Sequence, residues 1–372
     1  SLHFDEVTRI LYAADASPFR VMPAGVAVPL DESDLGILAK YADDRGIPLV
    51  PRGAGTGLAG ESLGPGIAVD LSVNFRQIRE IESDRITVEA GVTHAELNAA
   101  LAPLGRRFAP DPSSSATCTV GGMVATNASG GSAFRHGFTS DHIRGLQVVW
   151  HSGETAKLAR PPISAADPTS DAVANLLETH RTAIARHRSR TPFDRCGYAL
   201  READTPQGPD LVRLLVGSEG TLAFVTAATL ATISLAGGTC LAVLGFPTLD
   251  AAIRAGLALR TVDAIVGCDL LDPRQLALSR SSGGVGLAPA SVGAALILTF
   301  EAETEATAER AGRAAVNAVR AGHIYRVLAE PTCQPAGVAR IRKFREGAVG
   351  GLNALGPGPR PVAGMEDCAV PA

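Results

Sequence analysis

A run of glycines between two short apolar stretches is the feature that most constrains the fold of this chain. It reads Arg52-Gly-Ala-Gly-Thr-Gly-Leu-Ala-Gly60, with apolar stretches at 47–50 and 67–71 on either side. Successive glycines let backbone N–H groups point toward one position, and this arrangement suits a phosphate or a pyrophosphate. Many glycine-rich loops are simple turns, so this loop alone supports anion binding and a structural role about equally.

The sequence around the loop excludes two common nucleotide-binding motifs. A P-loop needs Gly-Lys followed by Ser or Thr, and no lysine lies near these glycines. A Rossmann fingerprint needs a long helix that starts in the loop, whereas Gly-Pro-Gly at 64–66 and then a predicted strand follow here. The predicted helix, 31–46 with Asp31 as its N-cap, comes before the loop. A nicotinamide-dependent Rossmann dehydrogenase is therefore excluded.

Two further segments have the composition of a ligand-binding wall. Residues 110–131 are almost all small or polar and follow no helical or strand period, so a flat ligand could lie against their main chain. Gly217-Ser-Glu-Gly-Thr-Leu222 lies where predicted strands at 211–216 and 222–230 meet. The alternatives are a flexible surface loop for the first segment and a simple turn for the second.

The remaining pattern predicts two domains. Thr93 and Glu96 have the spacing of a capping box, which predicts a helix start. The further elements predicted for the first domain are 86–90, 93–104, 146–149 and 170–187. After Gly237-Gly238, strands and helices alternate at 240–245, 249–260, 294–300 and 304–321. We predict an N-terminal arm at 1–22, a first domain at 23–236 and a second domain at 237–372.

Taken in order, the three glycine-containing segments resemble the FAD-binding domain of the vanillyl-alcohol oxidase family, also called PCMH-type. The resemblance starts near Tyr12-Ala-Ala-Asp15-Ala-Ser17 and runs to the end of the chain. Within the family it is nearest to the FAD subunits of glycolate oxidase and to the FAD-linked D-lactate dehydrogenases. It implies an α+β fold, in which a PCMH-type FAD-binding domain of two α+β subdomains precedes a partial ferredoxin-like cap domain.

The resemblance also implies which residues bind the cofactor. In this family the first loop holds the FAD pyrophosphate, the second segment lines the flavin and the diphosphate, and the third closes the domain. The matching positions are Arg52, Gly53, Ala54, Gly55, Thr56 and Gly57, then Pro110, Asp111, Thr119, Gly121, Gly122, Asn127, Ser129 and Gly130, and finally Glu219, Gly220 and Val225. Some members attach FAD through a histidine of the first loop, and none occurs there, so the resemblance implies non-covalent FAD.

The chain departs from the family pattern at two positions near these segments. His136 stands where the family usually has Tyr, and Ala223 stands where it often has Gly. Both changes are compatible with FAD binding.

The reaction that the resemblance implies is oxidation of a small 2-hydroxy acid, such as D-lactate or glycolate, by hydride transfer to the flavin. A guanidinium can hold a carboxylate through two parallel hydrogen bonds. Arg345 is therefore the first candidate for substrate binding and Arg342 the second, and a plain surface position is the alternative for each. Cys268–Asp272 and Glu366–Pro371 resemble cap-domain segments. The alternative function is an FAD-binding subunit or fragment without turnover of its own.

Relatives of this kind pass electrons to a quinone or to an iron–sulfur protein, which implies at most peripheral membrane contact. Both ends of the chain look cut, because it starts with Ser1 and stops at Ala372 without a helix end. We therefore expect an incomplete chain, with the catalytic base and the metal-binding histidines of relatives beyond its last residue.

Composition excludes several other classes of protein. A net charge of −4 gives no attraction to nucleic acid. The six cysteines are far apart and include no Cys-x-x-Cys, so neither a zinc nor an iron–sulfur site is expected. Unpaired thiols predict a reducing, cytoplasmic compartment, with peripheral association with the inner membrane as the alternative. The histidine spacings do not predict a metal site, and no apolar run approaches the roughly 20 residues of a membrane helix.

Overall fold

The computed structural model of the chain describes residues 1–161, 168–187, 191, 195, 197–281, 286–322 and 325–353. The chain divides into two compact units. Among the described residues, the first unit comprises 1–130 and 138–234, and the second comprises 131–137 and 235–353.

Both units contain strands and helices. The strands are β1 (Leu2–His3), β2 (Gly25–Ala27), β3 (Leu49–Arg52), β4 (Ile67–Asp70), β5 (Ile78–Ile81), β6 (Arg85–Glu89), β7 (Arg106–Arg107), β8 (Ile143–Val149), β9 (Thr155–Ala159), β10 (Asp204–Thr205), β11 (Gly208–Pro209), β12 (Phe224–Ala231), β13 (Ile233–Ser234), β14 (Gly238–Phe246), β15 (Ile265–Leu271), β16 (Ala294–Ala302) and β17 (Arg326–Thr332). The helices are α1 (Glu6–Leu11), α2 (Glu32–Asp43), α3 (His94–Leu101), α4 (Val120–Ala125), α5 (Ala133–His136), α6 (Thr139–His142), α7 (Pro168–Arg186), α8 (Leu200–Ala203), α9 (Leu211–Leu215), α10 (Leu249–Leu259), α11 (Pro273–Ser281), α12 (Glu305–Gly322) and α13 (Pro335–Asn353), with a 3-10 turn at Ala102–Leu104.

The first unit contains two principal sheets. One has the order β1-β2-β4-β3, in which β4 is parallel to both of its neighbours and β1 is antiparallel to β2. The other is antiparallel, with the order β5-β6-β12-β8-β9. Each sheet has its own apolar core, so the first unit consists of two α+β halves.

Local sequence signals explain where the helices of the first unit begin. The Asp31 side chain accepts the N–H of Asp34 at 2.9 Å, and Leu35 and Ala39 of α2 are buried against the first sheet. Thr93 and Glu96 form the predicted capping box at the start of α3. Both helix starts were predicted from the sequence, because capping depends on neighbours in the chain.

The prediction of a strand at 211–216 is wrong. This stretch is the short helix α9, whose N-cap is Asp210, with the carboxylate accepting the N–H of Arg213 at 3.0 Å. Leu211, Val212 and Leu215 are buried together, as residues spaced by one turn of a helix are. A short apolar run is compatible with a buried strand or with a buried helix, and the N-cap at Asp210 favours the helix.

The second unit is a four-stranded antiparallel sheet with helices on both faces. Its strands have the order β15-β16-β14-β17, which is the ferredoxin-like arrangement that the resemblance implies. Side chains of β14 alternate between the two faces, so Cys240 and Leu244 pack with α10 and α12, whereas Leu241 and Val243 pack with α11 and α13.

Candidate functional site

A cavity in the first unit, called here the main cavity, lies where the three glycine-containing segments meet. Most of the positions predicted to bind the cofactor line it. These are Arg52, Gly53, Ala54, Gly55, Thr56, Gly57, Thr119, Gly121, Gly122, Glu219, Gly220 and Val225. The wall also contains residues outside the three glycine-containing segments, among them Glu61, Ser62, Leu71, Ala90 and Leu215.

The first loop needs glycine for both backbone conformation and space. Gly55 has a φ of +65°, which side-chain-bearing residues rarely adopt. A Cβ there would lie 2.5 Å from Nη2 of Arg52. That guanidinium donates to the carbonyl of Ala14 at 2.8 Å and lies over the ring of Tyr12. Tyr12 and Ala14, which precede β2, therefore hold the Arg52 side chain at the cavity wall.

Tyr12 is itself held by a buried carboxylate. Its hydroxyl donates to Asp70 at 2.5 Å, and Asp70 is 5% exposed at the end of β4. Burial, and then the hydrogen bond to Asp70, raise the pKa of Tyr12 well above its usual range. Tyr12 therefore stays protonated and keeps donating, which secures the support for Arg52.

The loop already holds one anionic group of the chain. The Glu61 carboxylate accepts the N–H of Ala59 at 3.2 Å, and a Cβ on Gly57 would overlap the same carboxylate. One backbone N–H of the loop therefore already bonds to an anionic oxygen.

The second segment contacts the first loop through the start of α4. Thr119 is the N-cap of α4, and its Oγ1 accepts the N–H of Gly122 at 3.2 Å. A Cβ on Gly53 would overlap that oxygen, and a Cβ on Gly121 would lie 2.8 Å from the Cβ of Ala90. The glycines therefore let the loop, α4 and β6 approach closely around one cavity.

The third segment ties the other two together. Glu219 and Gly220 both have positive φ, and the N–H of Glu219 donates to the carbonyl of Ala125 at 2.8 Å. A Cβ on Gly220 would lie 2.5 Å from Cγ of Pro51. This turn therefore packs on the end of α4 and on the strand that leads into the first loop.

Five of the positions predicted to bind the cofactor do not line the main cavity, namely Pro110, Asp111, Asn127, Ser129 and Gly130. The carbonyl of Pro110 is hydrogen-bonded to the His94 side chain. The carbonyl of Asp111 lies so close to Gly130 that a Cβ on Gly130 would overlap it. The Asn127 amide oxygen accepts the N–H of Ser140 at 2.9 Å. Small residues in this segment allow the backbone to pack closely, as Gly130 does against Asp111.

His94 is a buried histidine that supports this wall. It is 7% exposed, and its Nε2 lies 2.8 Å from the Pro110 carbonyl oxygen, so Nε2 donates there. Burial lowers the pKa of His94 below its ordinary value of 6.5. The imidazole is therefore held neutral in the folded chain at a pH where the unfolded chain binds a proton.

We expect the free energy of unfolding to fall as the pH drops below 6.5, the ordinary pKa of His94. The His94 contribution is complete above that pH and is lost toward the lowered folded-state pKa, by at most about 1.4 kcal/mol per pH unit. His94→Gln keeps a donor for Pro110 and removes the titration. Denaturant unfolding of both proteins at about pH 7 and about pH 5.5 measures the difference. An identical pH dependence in the variant would exclude His94 as its source.

The two candidate substrate-binding arginines lie on α13 of the second unit. Nε of Arg345 is 3.0 Å from the Asp269 carboxylate, and its Nη2 is 3.2 Å from the other oxygen of that group. One edge of the guanidinium is thus used within the chain, while the side chain is 49% exposed. Arg342 lines a separate groove with Lys343 and Gly237. His136, also in this unit, lies 3.9 Å from Glu301.

The prediction of unpaired thiols is wrong for Cys240 and Cys333. The structure joins them as a disulfide, with Cα atoms 4.1 Å apart although 93 residues separate them in the chain. Cys240 lies on β14 and Cys333 directly follows the neighbouring strand β17, a contact that spacing in the sequence could not reveal. Cys118 and Cys268 are not in disulfides, and burial raises the pKa of Cys268 to about 12. Cys196, Cys368 and the predicted cap segment Glu366–Pro371 lie outside the described residues.

Two family models match separate parts of the chain. The model for the FAD binding domain matches residues 23–159, and the model for the C-terminal domain of FAD linked oxidases matches residues 238–372. The chain belongs to the FAD-linked oxidases. The predicted PCMH-type fold class and the family resemblance are thereby confirmed, and the cofactor of this oxidase family is FAD.

Curated relatives agree with this assignment. The chain is 31% identical to D-2-hydroxyglutarate dehydrogenase of Escherichia coli strain K12, over 98% of its own length and 38% of the relative. It is 27% identical to glycolate oxidase subunit GlcD of Bacillus subtilis strain 168, over 98% of its own length and 68% of the relative. The chain spans between 24% and 38% of the length of the D-2-hydroxyglutarate dehydrogenases it matches.

A solved structure shares the fold. The chain superposes on an alkyldihydroxyacetonephosphate synthase with a TM-score of 0.65 and 16% identity, over 94% of this chain and 61% of that one. At this identity the likeness shows the fold alone.

None of the helices that the structure describes is long and apolar enough to cross a membrane. Within the same residues, no cluster of three His, Cys, Asp or Glu side chains is arranged to hold a metal ion.

Proposed function

We propose that this FAD-linked oxidase holds FAD in the main cavity and oxidises a small 2-hydroxy acid to the 2-keto acid. The observation that carries the proposal is the convergence of the three glycine-containing segments on one cavity, with Gly53, Gly55 and Gly220 at points where a Cβ would collide. The names of the relatives, D-2-hydroxyglutarate dehydrogenase and glycolate oxidase subunit GlcD, support the substrate class.

Several residues that line the main cavity would contact the cofactor. The N–H groups of the loop from Gly53 to Gly57 would receive the diphosphate, and the Arg52 guanidinium would add positive charge beside it. Glu219, Gly220 and Val225 would close the wall. FAD, when bound, accepts the hydride equivalent from the carbon that carries the hydroxyl group. The hydroxyl proton leaves to a base, so the acid loses two electrons and two protons.

We predict that the FAD is bound non-covalently. The first loop, Arg52–Gly60, contains no histidine that could form a bond to the flavin. Acid precipitation of the purified protein should therefore release all of the yellow flavin into the supernatant. Flavin that stays in the protein pellet would contradict the prediction.

We propose Arg345 as the residue that grips the substrate carboxylate, and Arg342 as the second candidate. Asp269 orients the Arg345 guanidinium through one edge and leaves the rest of the fork for a ligand. Arg345→Lys keeps the charge and loses the fork, so the KM for the 2-hydroxy acid should rise by about tenfold or more. The affinity for FAD should stay unchanged. Arg342→Lys is the matched variant. A larger rise in KM for Arg342→Lys than for Arg345→Lys would make Arg342 the residue that binds the carboxylate.

A dye-linked assay tests the reaction itself. The FAD-loaded protein is mixed with an artificial electron acceptor and with glycolate, D-lactate or D-2-hydroxyglutarate, and reduction of the dye is followed. Turnover with at least one acid supports the proposal. Bound FAD without turnover on any of them would favour the alternative, an FAD-binding subunit or fragment. A quinone or an iron–sulfur protein as natural acceptor and a cytoplasmic location remain predictions from the family resemblance and from the sequence.

A further inference from the structure

The Glu61 carboxylate lies in the wall of the main cavity, directly after the first loop. One of its oxygens accepts the backbone N–H of Ala59 at 3.2 Å. The other lies so close to Gly57 that a Cβ on Gly57 would overlap it, so glycine at this position is what lets the carboxylate rest against the loop. A negatively charged group of the chain thus lies against the backbone that the proposed function assigns to the FAD diphosphate.

The charge of this carboxylate is not neutralised nearby. Among the residues that the structure describes, Glu61 forms no ion pair. The guanidinium of Arg52 is directed to other groups, because its Nη2 donates to the carbonyl of Ala14 at 2.8 Å and it lies over the ring of Tyr12. Glu61 is half-buried, so water screens its charge only in part. The carboxylate therefore opposes the binding of a second anion to the same loop.

The backbone beside Glu61 is held in place, whereas its side chain has a route to water. The hydroxyl of the next residue, Ser62, donates to the Asp15 carboxylate at 3.0 Å. Ala59, whose N–H holds the Glu61 carboxylate, is exposed. Rotation of the Glu61 side chain can therefore move the carboxylate into solvent without a change in the backbone of the loop.

We propose that Glu61 occupies the first loop while the main cavity is empty and competes there with the FAD diphosphate, a role that rests on the proposed function. Binding of FAD breaks the hydrogen bond between Ala59 and Glu61 and moves the carboxylate into solvent. The backbone N–H groups of the loop are then left to the diphosphate oxygens. Glu61 thereby lowers the affinity of the chain for FAD and for other ligands that carry a diphosphate.

The test compares Glu61→Gln with the unchanged protein, both freed of flavin, in a titration with FAD that is followed by flavin fluorescence. The amide keeps the length of the side chain and an oxygen that can accept the N–H of Ala59, but it carries no charge. The hydrogen bond that FAD must break is then weaker, and the repulsion between two anions is gone. The variant should therefore bind FAD about tenfold more tightly.

Glu80→Gln is the control for net charge, because Glu80 is exposed on β5 and does not line the main cavity. Tighter binding of FAD by Glu61→Gln, with the affinity of Glu80→Gln unchanged, supports the role of Glu61. Equal or weaker binding by Glu61→Gln, or the same gain in both variants, overturns it.

Inorganic pyrophosphate, titrated into the same three proteins by calorimetry, separates this role from the proposed function. If none of the three proteins binds FAD, the proposed function fails, and the pyrophosphate affinities then decide the role of Glu61. Tighter pyrophosphate binding by Glu61→Gln alone would support that role. Equal affinities, or no pyrophosphate binding by any of the three, would overturn it.

Discussion

Gly55→Asp is expected to abolish FAD binding while the chain still folds. The new carboxylate would stand where the first loop is built to receive a diphosphate, beside the Arg52 guanidinium. Two like charges about 4 Å apart near a protein surface repel by about 4 kcal/mol, which corresponds to a loss of affinity well over 100-fold. The flavin content of the purified protein and a titration of the apoprotein with FAD measure the effect.

The chain offers a matched control at Gly105. This glycine has the same φ of +65° as Gly55, but no atom lies within 4 Å of the position of its Cβ. Gly105→Asp therefore introduces the same backbone strain and the same charge away from the main cavity. It should bind FAD as the unchanged protein does. Equal FAD binding by both variants would show that Gly55 is only a turn residue.

Gly130→Ala is expected to lower the free energy of unfolding by about 3 kcal/mol, as overpacking at a rigid contact does. An added Cβ would overlap the backbone carbonyl of Asp111, which is no flexible side-chain end and can move only with its segment. That segment continues into Pro112 and Ser114, which line the main cavity. Less FAD should therefore remain bound in the variant. Denaturant unfolding followed by circular dichroism gives the first quantity, and flavin absorbance gives the second.

The neighbouring residue provides the comparison for this prediction. A Cβ on Gly131 would lie 3.4 Å from Nη2 of Arg345, the far end of a flexible side chain. Gly131→Ala should change the free energy of unfolding by no more than about 0.5 kcal/mol. If Gly130→Ala were as mild as Gly131→Ala, the close approach of residues 130 and 111 would not be a requirement of the fold.

The parts of the fold that depend on neighbours in the chain were predictable. Asp31 and Thr93 begin their helices as their capping patterns indicate, and the first loop leads into the strand β4 rather than into a helix. Alternation of strand and helix after Gly237 predicted a separate domain from residue 237, and the second compact unit comprises 131–137 besides the residues from 235 onward. These signals are local, so no knowledge of tertiary contacts was needed.

The elements that were predicted wrongly or missed are those whose structure depends on tertiary contacts. The run 211–216 has no period long enough to separate helix from strand, and the cap at Asp210 makes it a helix. Strands β15 and β17 were not predicted, because each is defined by pairing with distant partners, β16 and β14. The pairing of Cys240 with Cys333 follows from that same sheet order.

The candidate site divides in a similar way. The glycines of the three segments were predicted because a backbone that must approach closely leaves a mark in the sequence. Glu61, Leu71 and Leu215 have no such mark, and only the fold brings them to the main cavity. The ion pair of Arg345 with Asp269 joins residues 76 apart, so its geometry had to come from the structure. Asn127 was predicted to contact FAD, which stays a prediction, and its amide oxygen accepts the N–H of Ser140.

The most direct test of the proposed function is the absorbance spectrum of the FAD-loaded protein, mixed without oxygen with a 2-hydroxy acid. Glycolate, D-lactate and D-2-hydroxyglutarate are compared, each at saturating concentration, with L-lactate as the stereochemical control. We predict that at least one of them bleaches the oxidised flavin within the mixing experiment and that the matching 2-keto acid appears in equal amount. A flavin that is bound in the main cavity and stays oxidised with every acid would contradict the account.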